Sequence, residues 1–83
     1  MRTDDLIERF IEIDVHHPGA AGALLRASGV PVWVLVAQLP AADGSVEKLA
    51  SEYDISIDAV HAALAYYRRH RKIIDARIAL NAA

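Results

Sequence analysis

Residues 45–67 read SVEKLASEYDISIDAVHAALAYY, and this stretch restricts the possible folds more than any other part of the chain. Val46, Leu49, Ala50 and Tyr53 recur at helical spacing, the stripe of a short amphipathic helix. Ser45 stands ahead of them as a cap, with Glu47 and Lys48 in the first turn. Val60, Leu64 and Tyr67 form a second stripe behind Ser56, and Asp58 sits near the positive end of that helix. Between the two, Asp54 tolerates the left-handed conformation that ends many helices, and Ile55 plugs the turn. A helix-turn-helix needs a small residue where the backbones approach, then a turn residue, an apolar plug and a β-branched anchor. Ala50, Asp54, Ile55 and Val60 fill those places, with Leu64 one turn later.

The flanks are less decided. Residues 10–15, FIEIDV, alternate apolar and acidic positions, the period of a half-buried strand. HHPGAAG follows with Pro18, Gly19 and Gly22 as turn residues, and ALLRA, 23–27, suits a second short strand. Residues 1–29 therefore read as a β-hairpin arm, which is too small to stand alone in water and must pack on something. GVPVWVLVAQLP, 29–40, is rich in β-branched residues and would pass for a strand. Pro31 at a helix start, Pro40 at its stop and the face Val32, Leu35, Val36, Leu39 point to a helix, and the residues alone leave both open. Beyond Tyr67 the helical signal persists to about Leu80 through Ile74 and Ile78, with a gap in the apolar register near Arg71 where a kink would fall. The expected architecture is a single, mainly α domain over 1–83. It comprises a helix-turn-helix bundle of three to four helices over 30–83, ending in a basic helix and preceded by the β-hairpin arm.

A chain of 83 residues buries only about 60% of its unfolded surface, yet 54% of its residues are hydrophobic. That excess predicts burial against a partner, most simply a second copy in a homodimer. The absence of cysteine excludes disulfides and thiolate metal sites. The acidic start MRTDDLIERF has no leader-like apolar run, and Val30–Ala37 is too short to span a bilayer, so a cytoplasmic protein with no membrane role is expected. The net charge of −2 argues against nucleic acid, but its distribution argues for it. Residues 1–29 sum to −2, whereas residues 66–83 carry Arg68, Arg69, Arg71, Lys72 and Arg77 against Asp75 alone. Those cations suit phosphate, or simply the negative end of their own helix. On the second helix the outward candidates are Ile57, Asp58, His61, Ala62 and Ala65, of which only His61 has a donor for a base edge. His16 and His17 are adjacent and point apart, and His61 and His70 lack metal-ligand spacing. With no nucleophile elbow, phosphate loop or carboxylate pair, neither catalysis nor a metal or other cofactor is assigned.

The run from Leu24 to Ile78 resembles a small prokaryotic family, domain of unknown function 433. LLRASGVPVWVLV is similar to the segment that precedes and begins the family's first helix, and GSVEKLASEYDISIDAVHAALAYYRRHRKIIDARI to its later helices. Ala27-Ser28-Gly29 replaces the family's Gly-Thr-Arg, and Ala21-Gly22-Ala23 replaces its Gly-Lys-Pro, so only Arg26 keeps a cation of the arm. The resemblance implies a dimeric helix-turn-helix with a β arm, and a helix at VPVWVLVAQL. It also implies a function: an antitoxin of VapB type that represses its own operon and pairs with a PIN-like ribonuclease toxin.

The residues then expected to touch duplex DNA are His61, Arg68, Arg69, Arg71, Lys72 and Arg26. Those expected to touch a protein partner are Ile74, Ile78 and Leu80 on the tail and Trp33 at a dimer contact. For the partner residues plainer roles compete: Ile74 and Ile78 completing the core, and Trp33 packing within its own chain. The alternative function is a protein-interaction module whose helix-turn-helix only packs.

Overall fold

The computed structural model describes residues 2–16 and 19–82. Met1, His17, Pro18 and Ala83 lie outside them, and with them the readings of His17 as a loop histidine and of Pro18 as a turn residue. In chain order the elements are α1 (Thr3–Phe10), β1 (Ile11–Ile13), β2 (Ala23–Leu25), α2 (Val32–Gln38), α3 (Val46–Tyr53), α4 (Ile57–Arg69) and α5 (Arg71–Ala82). Short 3-10 turns cover Ala20–Gly22 and Pro40–Ala42.

The central pair forms as its residues dictate. Ser45 Oγ accepts the Lys48 N–H at 3.1 Å, and Ser56 Oγ accepts the Ala59 N–H at 3.1 Å. Each bond satisfies a donor that the first turn of a helix leaves open, worth about 1 kcal/mol. At the turn Asp54 takes φ 54, ψ 48, and the Ile55 N–H returns to the Ala50 carbonyl at 3.0 Å. Ala50 is buried where α3 meets α4, Val60 is fully buried, and Ile55 packs against the core.

Residues 29–40 are helical, over Val32–Gln38, although propensity alone would allow a strand. Val32 and Leu35 are buried, and Val36 and Leu39 pack half-buried beside them. Tertiary burial of this face outweighs the few tenths of a kcal/mol that separate β-branched residues from good helix formers. Pro31 stands one place outside the helix, as its N-cap, in an isolated bridge with Leu24.

Three expectations are corrected. First, the described residues form five α-helices, not three or four. One is α1, whose Leu6, Ile7 and Phe10 face the core while Asp4 and Asp5 occupy its positive end. Another arises because the tail breaks at His70 (φ −130, ψ 35) into α4 and α5. Second, the hairpin is shorter than read: β1 and β2 have three residues each, with Ile11 opposite Leu25 and Ile13 opposite Ala23, and Val15 falls in a turn. As a hairpin that cannot stand alone requires, it packs, with Ile11, Ala23 and Leu25 buried in the core of the same chain. Third, α4 buries more of its circumference than a two-helix packing unit needs. Ala59, Val60, Ala62, Ala63, Ala65 and Tyr66 are all buried, and Leu64 and Tyr67 only partly so. Alanines there let α1, α2, α3 and α5 all approach one central helix. No helix of the described residues is long and apolar enough to cross a membrane.

Candidate nucleic-acid interface

Side chains advance about 100° per residue along a helix. On α4 that puts Ile57, His61, Leu64 and Arg68 on one stripe, and Ala62, Ala65 and Arg69 on the next. The first stripe faces solvent, with Ile57, His61 and Arg68 exposed and Leu64 partly so. The second is occupied: α1 packs along α4, and Asp4 at the start of α1 accepts a bond from the Arg69 guanidinium. Ala62 and Ala65, expected among the outward residues of a reading helix, are therefore closed off at 0% and 7% exposure. The open stripe contains no Asn, Gln, Lys or Arg before Arg68, so it offers a base edge only the His61 ring.

The helix break gathers the remaining cations. Arg68 and Arg69 end α4, and Arg71 and Lys72 begin α5, all four exposed. The corner is held by its aromatic residues. Tyr66 stacks near His70 at 4.4 Å between ring centroids, and its hydroxyl donates to the Ala20 carbonyl at 3.1 Å. The Tyr67 hydroxyl donates to Asp75 Oδ1 at 2.7 Å, tying α4 to α5, while Arg71 lies 5.6 Å over the Tyr67 ring. That bond to Asp75, more than the accompanying burial, holds the Tyr67 hydroxyl above its ordinary range; burial alone raises Tyr66. Asp75, the one acid of the tail, is thus engaged by a tyrosine. Among the described residues Arg68 and Lys72 have no ion-pair partner.

Arg26 is not brought to this corner. Its Nε donates to the Glu8 carbonyl at 3.2 Å and its Nη1 meets Glu12 Oε2 at 3.4 Å. It serves the carbonyl end of α1, whereas Arg69 holds the other end through Asp4. Of the residues expected to face a protein partner, Ile74 is 1% exposed and Ile78 packs against the core, so the plainer role holds for both. Ile74 is corrected from a partner contact to a core residue, because α5 turns back at His70 and lays that side chain against the bundle. Leu80 stays 73% exposed. Sequence reading missed Ile73, which shares the Leu80 side of α5 and is 50% exposed. The seven-residue spacing of the two was the available signal. Trp33 is half-buried against the core, with the Arg77 guanidinium 5.2 Å above its ring. Together they line a shallow cleft with Pro31, Leu24 and Ala21.

A family model described as "Protein of unknown function (DUF433)" matches residues 22–67, more than half of the chain. The chain belongs to that family. No curated protein and no solved structure matches it. The matched segment takes in β2, α2, α3 and α4 as far as Tyr67. It stops short of Ile78, where the sequence resemblance ended, and so leaves out the basic corner and α5. It also leaves out α1 and β1, both of which pack on α4. Membership of DUF433 thus fixes the packing unit and carries no function with it.

Proposed function

We propose that this DUF433 protein is a cytoplasmic DNA-binding regulator of antitoxin type, acting as a homodimer on its own operon and partnered by a PIN-like ribonuclease. The observation that carries the DNA reading is the α4–α5 corner, where Arg68, Arg71 and Lys72 project from two helix ends while the nearby Asp75 is bound to Tyr67. Such a cluster takes phosphates and positions a protein on a duplex. Base readout by α4 is limited to His61, so most of the affinity comes from phosphate contacts. The homodimer is supported by β1. Among the described residues its one strand neighbour is β2, and Ile13 within it and Val15 in the turn after it are exposed. The test is anisotropy of a labelled duplex across a salt series. Arg68→Glu with Lys72→Glu should abolish measurable binding; short of that, the slope of log K against log salt should flatten by about 0.9 per lost contact. Unchanged affinity and slope would remove the corner from the DNA reading.

A second reading, a protein-interaction module, is favoured by α5. Ile73 and Leu80 lie exposed on one side of it, between Lys72 and Arg77. Duplex binding absent at every salt concentration, with complex formation lost in Leu80→Asp, would select it.

A further inference from the structure

We propose that Arg69, flanked by Arg68 and Lys72, is a nucleic-acid phosphate site that the chain keeps filled with its own Asp4 carboxylate. The inference rests on the DNA-binding reading and names the contact that limits it. Among the described residues Arg69 is the one cation of the corner with an acidic partner, and that partner comes from the opposite end of the chain. Carboxylate and phosphate are alternative ligands for the same guanidinium fork. Asp4 therefore stands where a phosphate oxygen would.

The occupant is exchangeable. The side chains of Arg69 and Asp4 are 46% and 71% exposed, so water and competing anions reach the pair. The helix that delivers Asp4 has eight residues and buries none of them fully; Leu6, Ile7 and Phe10 are only partly covered. A helix that short does not persist away from its support, so Asp4 leaves by local opening of α1, which belongs to the least stable part of a fold. Opening also uncovers the face of α4 on which α1 packs, at whose end Arg69 lies. A duplex gains from the exchange because its phosphates form an array, whereas the protein offers Arg69 a single carboxylate. The cover lies outside residues 22–67, the segment that the DUF433 model matches.

The experiment uses the full chain and a short mixed-sequence duplex, with anisotropy read at about 50 and 200 mM salt. Asp4→Asn should bind about two- to fivefold more tightly than the unmodified chain, the range open to an exposed ion pair. Asp5→Asn removes the same charge one position away and should give a smaller gain. In an Arg69→Gln background the advantage of Asp4→Asn over Asp5→Asn should vanish. Arg69→Gln alone should flatten the salt slope by about 0.9. Equal gains from Asp4→Asn and Asp5→Asn, or an Asp4→Asn advantage that survives Arg69→Gln, would overturn the proposal. In that event, loss of binding in the Arg68→Glu, Lys72→Glu variant still leaves the DNA reading standing. If neither the unmodified chain nor Asp4→Asn binds at the lower salt, both readings fall.

Discussion

Replacing Ile74 by alanine should destabilise the fold of the chain itself, although this residue belongs to a tail that the sequence offers to a partner. Ile74 is 1% exposed and is the one fully buried side chain of α5. The substitution removes three carbons, about 2.4 kcal/mol at ~0.8 kcal/mol per buried methylene. The cavity left behind brings the cost to about 3–4 kcal/mol, because a close-packed core relaxes only partly. A chain of 83 residues has roughly 4–12 kcal/mol in all at ~0.05–0.15 kcal/mol per residue, so the variant will be close to unfolding. Ile74→Val supplies a graded step of about 1 kcal/mol that keeps the protein measurable. Urea unfolding followed by circular dichroism, fitted with a common slope, gives the differences directly. Leu80→Ala is the internal control: at 73% exposure it should change stability by no more than about 0.5 kcal/mol. If Ile74→Val and Leu80→Ala cost the same, or Ile74→Ala costs under about 1 kcal/mol, α5 does not close the core, and the reasoning from the His70 turn is wrong.

Three further outcomes are expected. Ser45→Ala and Ser56→Ala should each cost about 1 kcal/mol in the same urea assay, because each removes the acceptor of a first-turn N–H bond. Tyr67 is protonated more firmly in the folded chain than in the unfolded one, whose phenol titrates near its ordinary value of about 10. Its stabilising contribution is therefore fully present below that pH and is lost as pH rises through the higher folded value; Tyr67→Phe should flatten this alkaline decline, and unfolding midpoints falling equally in both proteins would refute it. Arg77→Ala should alter Trp33 emission without changing the molecular mass by light scattering, since the cation lies over that ring within one chain.

The segment from Ser45 to Tyr67 was legible because every signal in it is local. The serine caps, the left-handed Asp54 and the stripes through Leu49 and Val60 act within one or two turns, and their partners are close in sequence. The helix over Val32–Gln38 was legible only with help, since its β-branched residues point the other way and its burial depends on α4 and α5. What lies over α4 was not legible. Whether Ala62 and Ala65 face a groove or a helix depends on where α1 comes to rest, and α1 is placed by Leu6, Ile7 and Phe10 reaching a core assembled from distant segments. The Asp4–Arg69 pair, the diversion of Arg26 to α1 and the engagement of Asp75 by Tyr67 follow from that assembly and from the turn at His70. By itself the sequence determined the caps, the turn and the charge gradient, because these are short-range properties of the chain. Only the tertiary structure decided which cations of the tail remain open, because pairing a charge requires the acid to be folded next to it.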